Sequence, residues 1–168
     1  MDRKTLKEKE REANRLIKKY GFFVQHVVEG LSDVSVPYSF TSGLSYASEE
    51  PSPEFVMAGI DLPTMGTLLN YAVAAFKSGD LVLDGAGYYG RLIHGFNVGI
   101  VPVRPHTSPS RLLLPEEAEA YLIVVPDPNG LFPWEVGCDP DYVAQVAGFD
   151  CIELPHPRTA PPPSLSRH

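Results

Sequence analysis

Five histidines, at positions 26, 94, 106, 156 and 168, and two cysteines, Cys138 and Cys151, are the side chains best suited to chemistry near neutral pH. Their spacing does not favour it. There is no His-x-x-x-His pair, and no His and Cys stand at the separation of zinc ligands. Cys138 is followed by Asp139 and Asp141, and nearby carboxylates oppose the thiolate that a nucleophile requires, so no catalytic residue is assigned. DPNG (127–130) begins like a calcium loop, but its glycine comes fourth instead of sixth and no glutamate closes it. The sequence therefore predicts no metal and no cofactor, and DPNG reads as a tight turn.

Two stretches have the composition of a binding site. GAGYYGR (85–91) has the glycines of a phosphate loop without the Lys-Ser/Thr or the helix start that would follow one. It is expected to be a flexible connection, either a plain surface loop or a lid whose Tyr88, Tyr89 and Arg91 touch a ligand beside His94. PDPNGLFPWEVGCDPDY (126–142) holds the only tryptophan, Trp134. That indole could turn inward as a staple or outward as an anchor for a partner, with Glu135 and Asp139 on the rim.

The elements that must position these residues follow from periodicity and punctuation. Residues 4–20 read as a charged helix with a thin apolar stripe (Leu6, Ala13, Leu16, Ile17, Tyr20), stopped by Gly21. FFVQHVV (22–28), VPYSFTSGL (36–44), EFVMAGI (54–60) and AYLIVVP (120–126) have strand composition, and His26 falls inside the first as a structural residue. VPYSFTSGL alternates as a half-buried strand would, whereas EFVMAGI is apolar enough to be buried on both faces. Asp61 as cap, Pro63 in the first turn and Gly79 at the end frame a helix over 62–78. Its Leu62, Met65, Leu68, Leu69, Ala72, Val73 and Phe76 share one face. LVLDGAGYYGRLIHGFNVGIVPVRP (81–105) is expected to open with a short strand and, after the glycine-rich connection, to form a longer one near 96–103, and HTSPSRLLLPEEAE reads as a loop or single helical turn. The resulting expectation is an α+β domain with a mostly antiparallel sheet and one central amphipathic helix packed on it. Its organisation is a basic N-terminal helix (1–20), the α+β domain (21–153) and a Pro-rich disordered tail (154–168).

Composition limits the function classes. At 168 residues with 43% hydrophobic content, the chain is long enough for one sizeable core and has no apolar run of membrane-spanning length. The charged N-terminus is unlike a secretory signal, and two cysteines without metal spacing suit a cytoplasmic location. The net charge of −7 is unevenly divided: residues 1–19 hold eight Lys/Arg against four Asp/Glu, and the rest six against seventeen. Such a body repels phosphate backbones, so nucleic acid is an unfavoured partner and no membrane is expected. Acidity of this size also serves solubility alone.

Three segments together resemble a known family. YSFTSGLSYASEEPSPEFVMAGIDLPTMGTLLNYAVAAFKSG (38–79), HGFNVGIVPVRP (94–105) and VVPDPNGLFPWEVGCD (124–139) are similar to bacterial domain-of-unknown-function family 4262 over roughly 20–142. Pro126, Asp127, Gly130, Phe132, Pro133 and Trp134 match its closing motif, Trp-Pro-Asp-x-x-Gly-x-Phe-Pro-Trp. Val125 stands where the pattern has Trp, and Cys138 where it has an aromatic. The resemblance implies a fold and carries no mechanism.

The function expected from the residues is that of a small acidic binding protein, leaning away from an enzyme. It would recognise or neutralise a macromolecular partner with a basic surface, as an immunity or counter-defence protein does. The alternative is a small-molecule-binding protein or enzyme with a pocket near the Gly-rich segment 85–95, where Tyr38, Tyr88, Tyr89, Arg91 and His94 would converge. The binding residues named on these grounds are Trp134, Glu135, Asp139, Tyr88, Tyr89, Arg91 and His94.

Overall fold

The computed structural model describes residues 2–28, 36–46, 51–108, 112 and 114–157. The loop around Gly30 and Asp33, part of the 106–119 connection and the end of the Pro-rich tail lie outside these residues. The elements run α1 (Arg3–Tyr20), β1 (Phe23–Val27), β2 (Tyr38–Ser42), β3 (Glu54–Ala58), α2 (Leu62–Lys77), β4 (Gly87–Ile93), β5 (Phe96–Arg104), β6 (Ala120–Val124), α3 (Pro140–Ala147) and β7 (Asp150–Cys151). The strands form one sheet in the order β1-β2-β3-β6-β5-β4, with β7 pairing β5 beyond the end of β4. Every pairing is antiparallel except β3 with β6, which are parallel. The fold is the expected α+β domain.

Parallel central strands must be covered on both sides, and here they are. All five residues of β2, β3 and β6 are buried. One face of the sheet receives α2, whose Met65, Leu68, Leu69, Ala72 and Val73 meet Phe55, Met57, Val98 and Ile123. The other packs Tyr38, Phe40, Val56, Val101 and Leu122 beneath Phe132 and Phe149. Each fully buried Leu, Phe or Met contributes on the order of 2 kcal/mol. The Asp61 carboxylate caps α2 by accepting from the Thr64 amide at 3.0 Å, as the sequence indicated.

Three expectations change. β2 is buried on both faces and not half-buried, because α2 covers one side of it and Phe149 reaches the other. Residues 87–93 form a strand, hairpinned to β5, where the glycines suggested a flexible connection. Backbone pairing holds this edge strand, so its glycines need supply no packing. The chain also remains packed past Glu153: Pro155 is buried, and the His156 carbonyl accepts from the Tyr88 hydroxyl at 2.8 Å. The tail expected from 154 therefore begins with a strap across β4. α3 was not among the expected elements, although Asp139 followed by Pro140 is a cap and first-turn signal.

α1 differs from the other elements. Its C-terminal end rests on the domain, with Ile17 against Gly43, while every residue from Arg3 to Glu12 is exposed.

Candidate functional site: the closing motif and an acidic cleft

The turn at 127–130 is built by one buried carboxylate. Asp127 Oδ1 accepts from the amides of Asn129 (2.9 Å) and Leu131 (2.8 Å), and Oδ2 from the amide of Asp139 (2.9 Å). Its backbone amide donates to Leu131 O at 2.8 Å, and Gly130 N donates back to Asp127 O at 2.8 Å. Gly130 sits at φ 80°, a conformation a side chain would oppose. The oxygens that a calcium loop would point at an ion here hold the chain's own amides. Among the described residues, no three His, Cys, Asp or Glu side chains converge as a metal site requires.

The turn delivers Phe132 and Trp134 onto the sheet. Their rings stack with centroids 5.0 Å apart and planes 3° from parallel. Trp134 Nε1 donates to the Tyr88 hydroxyl at 2.9 Å, and that hydroxyl donates in turn to His156 O. Trp134 is half-buried and its polar atom is used, so the indole is a staple between β4, β5 and the closing loop.

The residues named from sequence separate into three groups. Tyr88 and Trp134 do come together, in this staple. Glu135 and Asp139 hold local backbone: Glu135 Oε1 accepts from the Phe132 amide at 2.9 Å, and Asp139 caps α3 through the Asp141 amide at 2.9 Å. Tyr89 and Arg91 lie on the opposite face of β4, because neighbouring residues in a strand alternate. There the Asp80 carboxylate accepts from the Tyr89 hydroxyl and from Arg91 Nη1, the latter at 3.0 Å, at the edge of a shallow, open depression beside α2. Burial, with help from Asp80, pushes the Tyr89 phenol up. His94 is exposed in the β4–β5 turn. Three strands, β3, β6 and β5, separate Tyr38 in β2 from β4, and its ring lies against Phe149, so the convergence of Tyr38, Tyr88, Tyr89, Arg91 and His94 does not occur.

Cys138 is half-buried, and its thiol donates to Leu131 O at 3.4 Å. Burial and then the Asp127 carboxylate push its pKa up to about 11, which leaves it protonated at neutral pH. Val125 is gripped by the buried Gln145 amide, which accepts from Val125 N and donates to Val125 O, both at 2.9 Å.

Two features were missed from sequence. Glu54 is fully buried with no ion pair among the described residues, and its carboxylate collects five donors from them, one from β2 and four from the turn after it. Oε1 accepts from Thr41 Oγ1 (2.9 Å) and Leu44 N (3.3 Å); Oε2 accepts from Gly43 N (3.0 Å), Ser45 N (3.1 Å) and Ser45 Oγ (2.8 Å). Its signal was the Pro53-Glu54 pair opening a strand. Beside this turn lies a cleft of about 350 Å³, walled by Pro51, Pro53, Pro115 and Ser45 and flanked by Glu117 and Glu119. Asp84 and Glu153 stand at the same end of the sheet. Burial raises the pKa of Tyr121, and the carboxylates of Glu119, Asp84 and Glu153 raise it further. Beyond α1 the described cations are Lys77, Arg91 and Arg104. Lys77 reaches Tyr20 O, and the other two pair with Asp80 and Asp150. None of them neutralises this end.

The domain is thus a helix-covered mixed sheet closed by a Pro-Asp turn and a stacked Phe-Pro-Trp. The model of the family described as Domain of unknown function (DUF4262) matches residues 16–139, and the chain belongs to that family. No curated protein matches the chain. No solved structure matches it. No helix among the described residues is long and apolar enough to cross a membrane.

Proposed function

We infer that this chain is a binding protein that takes a basic segment of a macromolecular partner at the acidic end of its sheet. The observation that carries this reading is the proline-walled cleft flanked by Glu117 and Glu119, with Asp84 and Glu153 nearby and, beyond α1, no described cation paired with them. Proline walls are rigid, so a guest loses its own freedom without ordering the host. Paired carboxylates at the rim attract Lys and Arg and steer their approach over about 8–10 Å at physiological salt. The family's closing motif supports this reading indirectly. Asp127, Phe132 and Trp134 are engaged in internal contacts, which leaves the surface as the place for recognition.

The test is binding of a labelled oligo-arginine peptide to the full chain and to Glu117→Gln/Glu119→Gln. The expected result is roughly tenfold weaker binding by the variant, the equivalent of about 1.4 kcal/mol for two rim charges. Equal binding by both proteins removes the cleft as the site.

A further inference from the structure

α1 carries a feature that its packing does not use. Lys4, Lys7, Arg11, Arg15 and Lys18 follow one another at intervals of three or four residues, so they share one face at about 3.6 residues per turn. This basic stripe is about 21 Å long at about 1.5 Å per residue. It lies opposite the apolar stripe of Ala13, Leu16 and Ile17, the half-buried side of the helix. Arg15 is paired with Glu12 at 2.6 Å, while Lys4, Lys7, Arg11 and Lys18 have no ion pair among the described residues. The family match begins at residue 16, so most of the stripe lies outside the matched residues.

We propose that the basic stripe of α1 docks on the acidic end of a second copy of this chain, with one of its Lys or Arg side chains entering the cleft between Glu117 and Glu119. This rests on the reading of the cleft as a site for a basic segment, and it names the occupant. Charge complementarity within one sequence carries it: residues 1–19 hold eight positive charges against four negative ones, a net excess of four, and the remainder six against seventeen, a net excess of eleven negative ones. A nucleic acid or anionic lipid surface would meet the stripe but be repelled by the body behind it. The apolar side of α1 is turned away from the stripe, so the stripe's own face offers a membrane nothing to insert. A second copy offers the stripe an acidic surface instead. α1 is seated on its own copy through its C-terminal end, where Ile17 packs against Gly43 and Lys77 Nζ donates to Tyr20 O, while Lys4, Lys7 and Arg11 lie on the exposed N-terminal half.

The test is sedimentation velocity of the full chain at about 50 mM and about 500 mM salt, conditions that lengthen and then collapse the range of charge attraction. Lys4→Glu/Lys7→Glu/Arg11→Glu lies where α1 touches nothing, so it leaves the domain intact. The wild type is expected to reach at least twice the monomer mass at low salt and return to monomer at high salt. The triple variant, and separately Glu117→Lys/Glu119→Lys, should stay monomeric at both. Mixing the two variants should restore association, since the charges have been exchanged. A wild type that is monomeric at low salt, or association that survives the triple variant, overturns the proposal. If the wild type is monomeric but the oligo-arginine peptide still binds at the cleft, only the second-copy proposal falls. If the peptide does not bind either, the reading of the cleft falls with it.

Discussion

The indole of Trp134 lies flat over Gly99 of β5, so close that a methyl group at position 99 would stand 2.5 Å from Trp134 Cη2. No pair of carbon atoms tolerates that distance, and the ring cannot withdraw without losing its stack on Phe132 and its bond to Tyr88. Gly99→Ala is expected to cost about 1–3 kcal/mol in denaturant melts, as overpacking does, with a red shift of the Trp134 emission. Gly87→Ala is the control, because nothing stands within 4 Å of its added methyl. It should be neutral or slightly stabilising, and equal losses in the two variants would remove the staple.

Glu54→Gln tests the carboxylate beneath the β2–β3 turn. An amide keeps the shape but turns one acceptor into a donor, facing at least two donors whichever way it is placed. The expected loss is about 2–4 kcal/mol, larger than for an ordinary hydrogen bond because the stranded amides are buried. Chemical denaturation reads it directly, and a loss below about 0.5 kcal/mol would show that the turn reorganises freely.

The elements legible in the sequence are those whose signals are local. α2 shows itself because Asp61, Pro63 and the spacing of Met65, Leu69 and Val73 all lie within the helix. The doubly buried β3 shows itself in the continuous apolar run of Phe55, Val56 and Met57. β4 was obscured because Gly87 and Gly90 look like loop residues, while the pairing that makes them a strand comes from β5. The site was less legible than the fold. Tyr88 and Tyr89 are neighbours in sequence but stand on opposite faces, a division fixed only once residue 88 is known to be in a strand. Trp134 was recognisable as a staple or an anchor, but the choice depends on Gly99, thirty-five residues earlier in the chain. Glu117 and Glu119 drew no notice because a cleft is a property of three segments meeting.

Cys138 should be chemically quiet. Its pKa is pushed up to about 11 by burial and by Asp127, so the thiolate is scarce at pH 8 and its labelling by iodoacetamide should be far slower than in the unfolded chain. The rate should climb with pH until about 11. Linkage has the same sign: the folded state keeps its proton where the unfolded thiol has lost it. The stability from this group is therefore present below the ordinary thiol pKa of 9.0 and is lost as pH rises toward about 11. Labelling at pH 8 as fast as in urea would contradict this environment.

Reception of a basic partner at the acidic end of the sheet should show itself in the salt dependence of peptide binding. Anisotropy of a labelled oligo-arginine peptide with the full chain at about 50 mM and about 500 mM salt separates charge recognition from other contacts. Binding is expected to weaken at least tenfold across that range and to be weak at both salts for Glu117→Gln/Glu119→Gln. Binding indifferent to salt, or unchanged by the two substitutions, would contradict it.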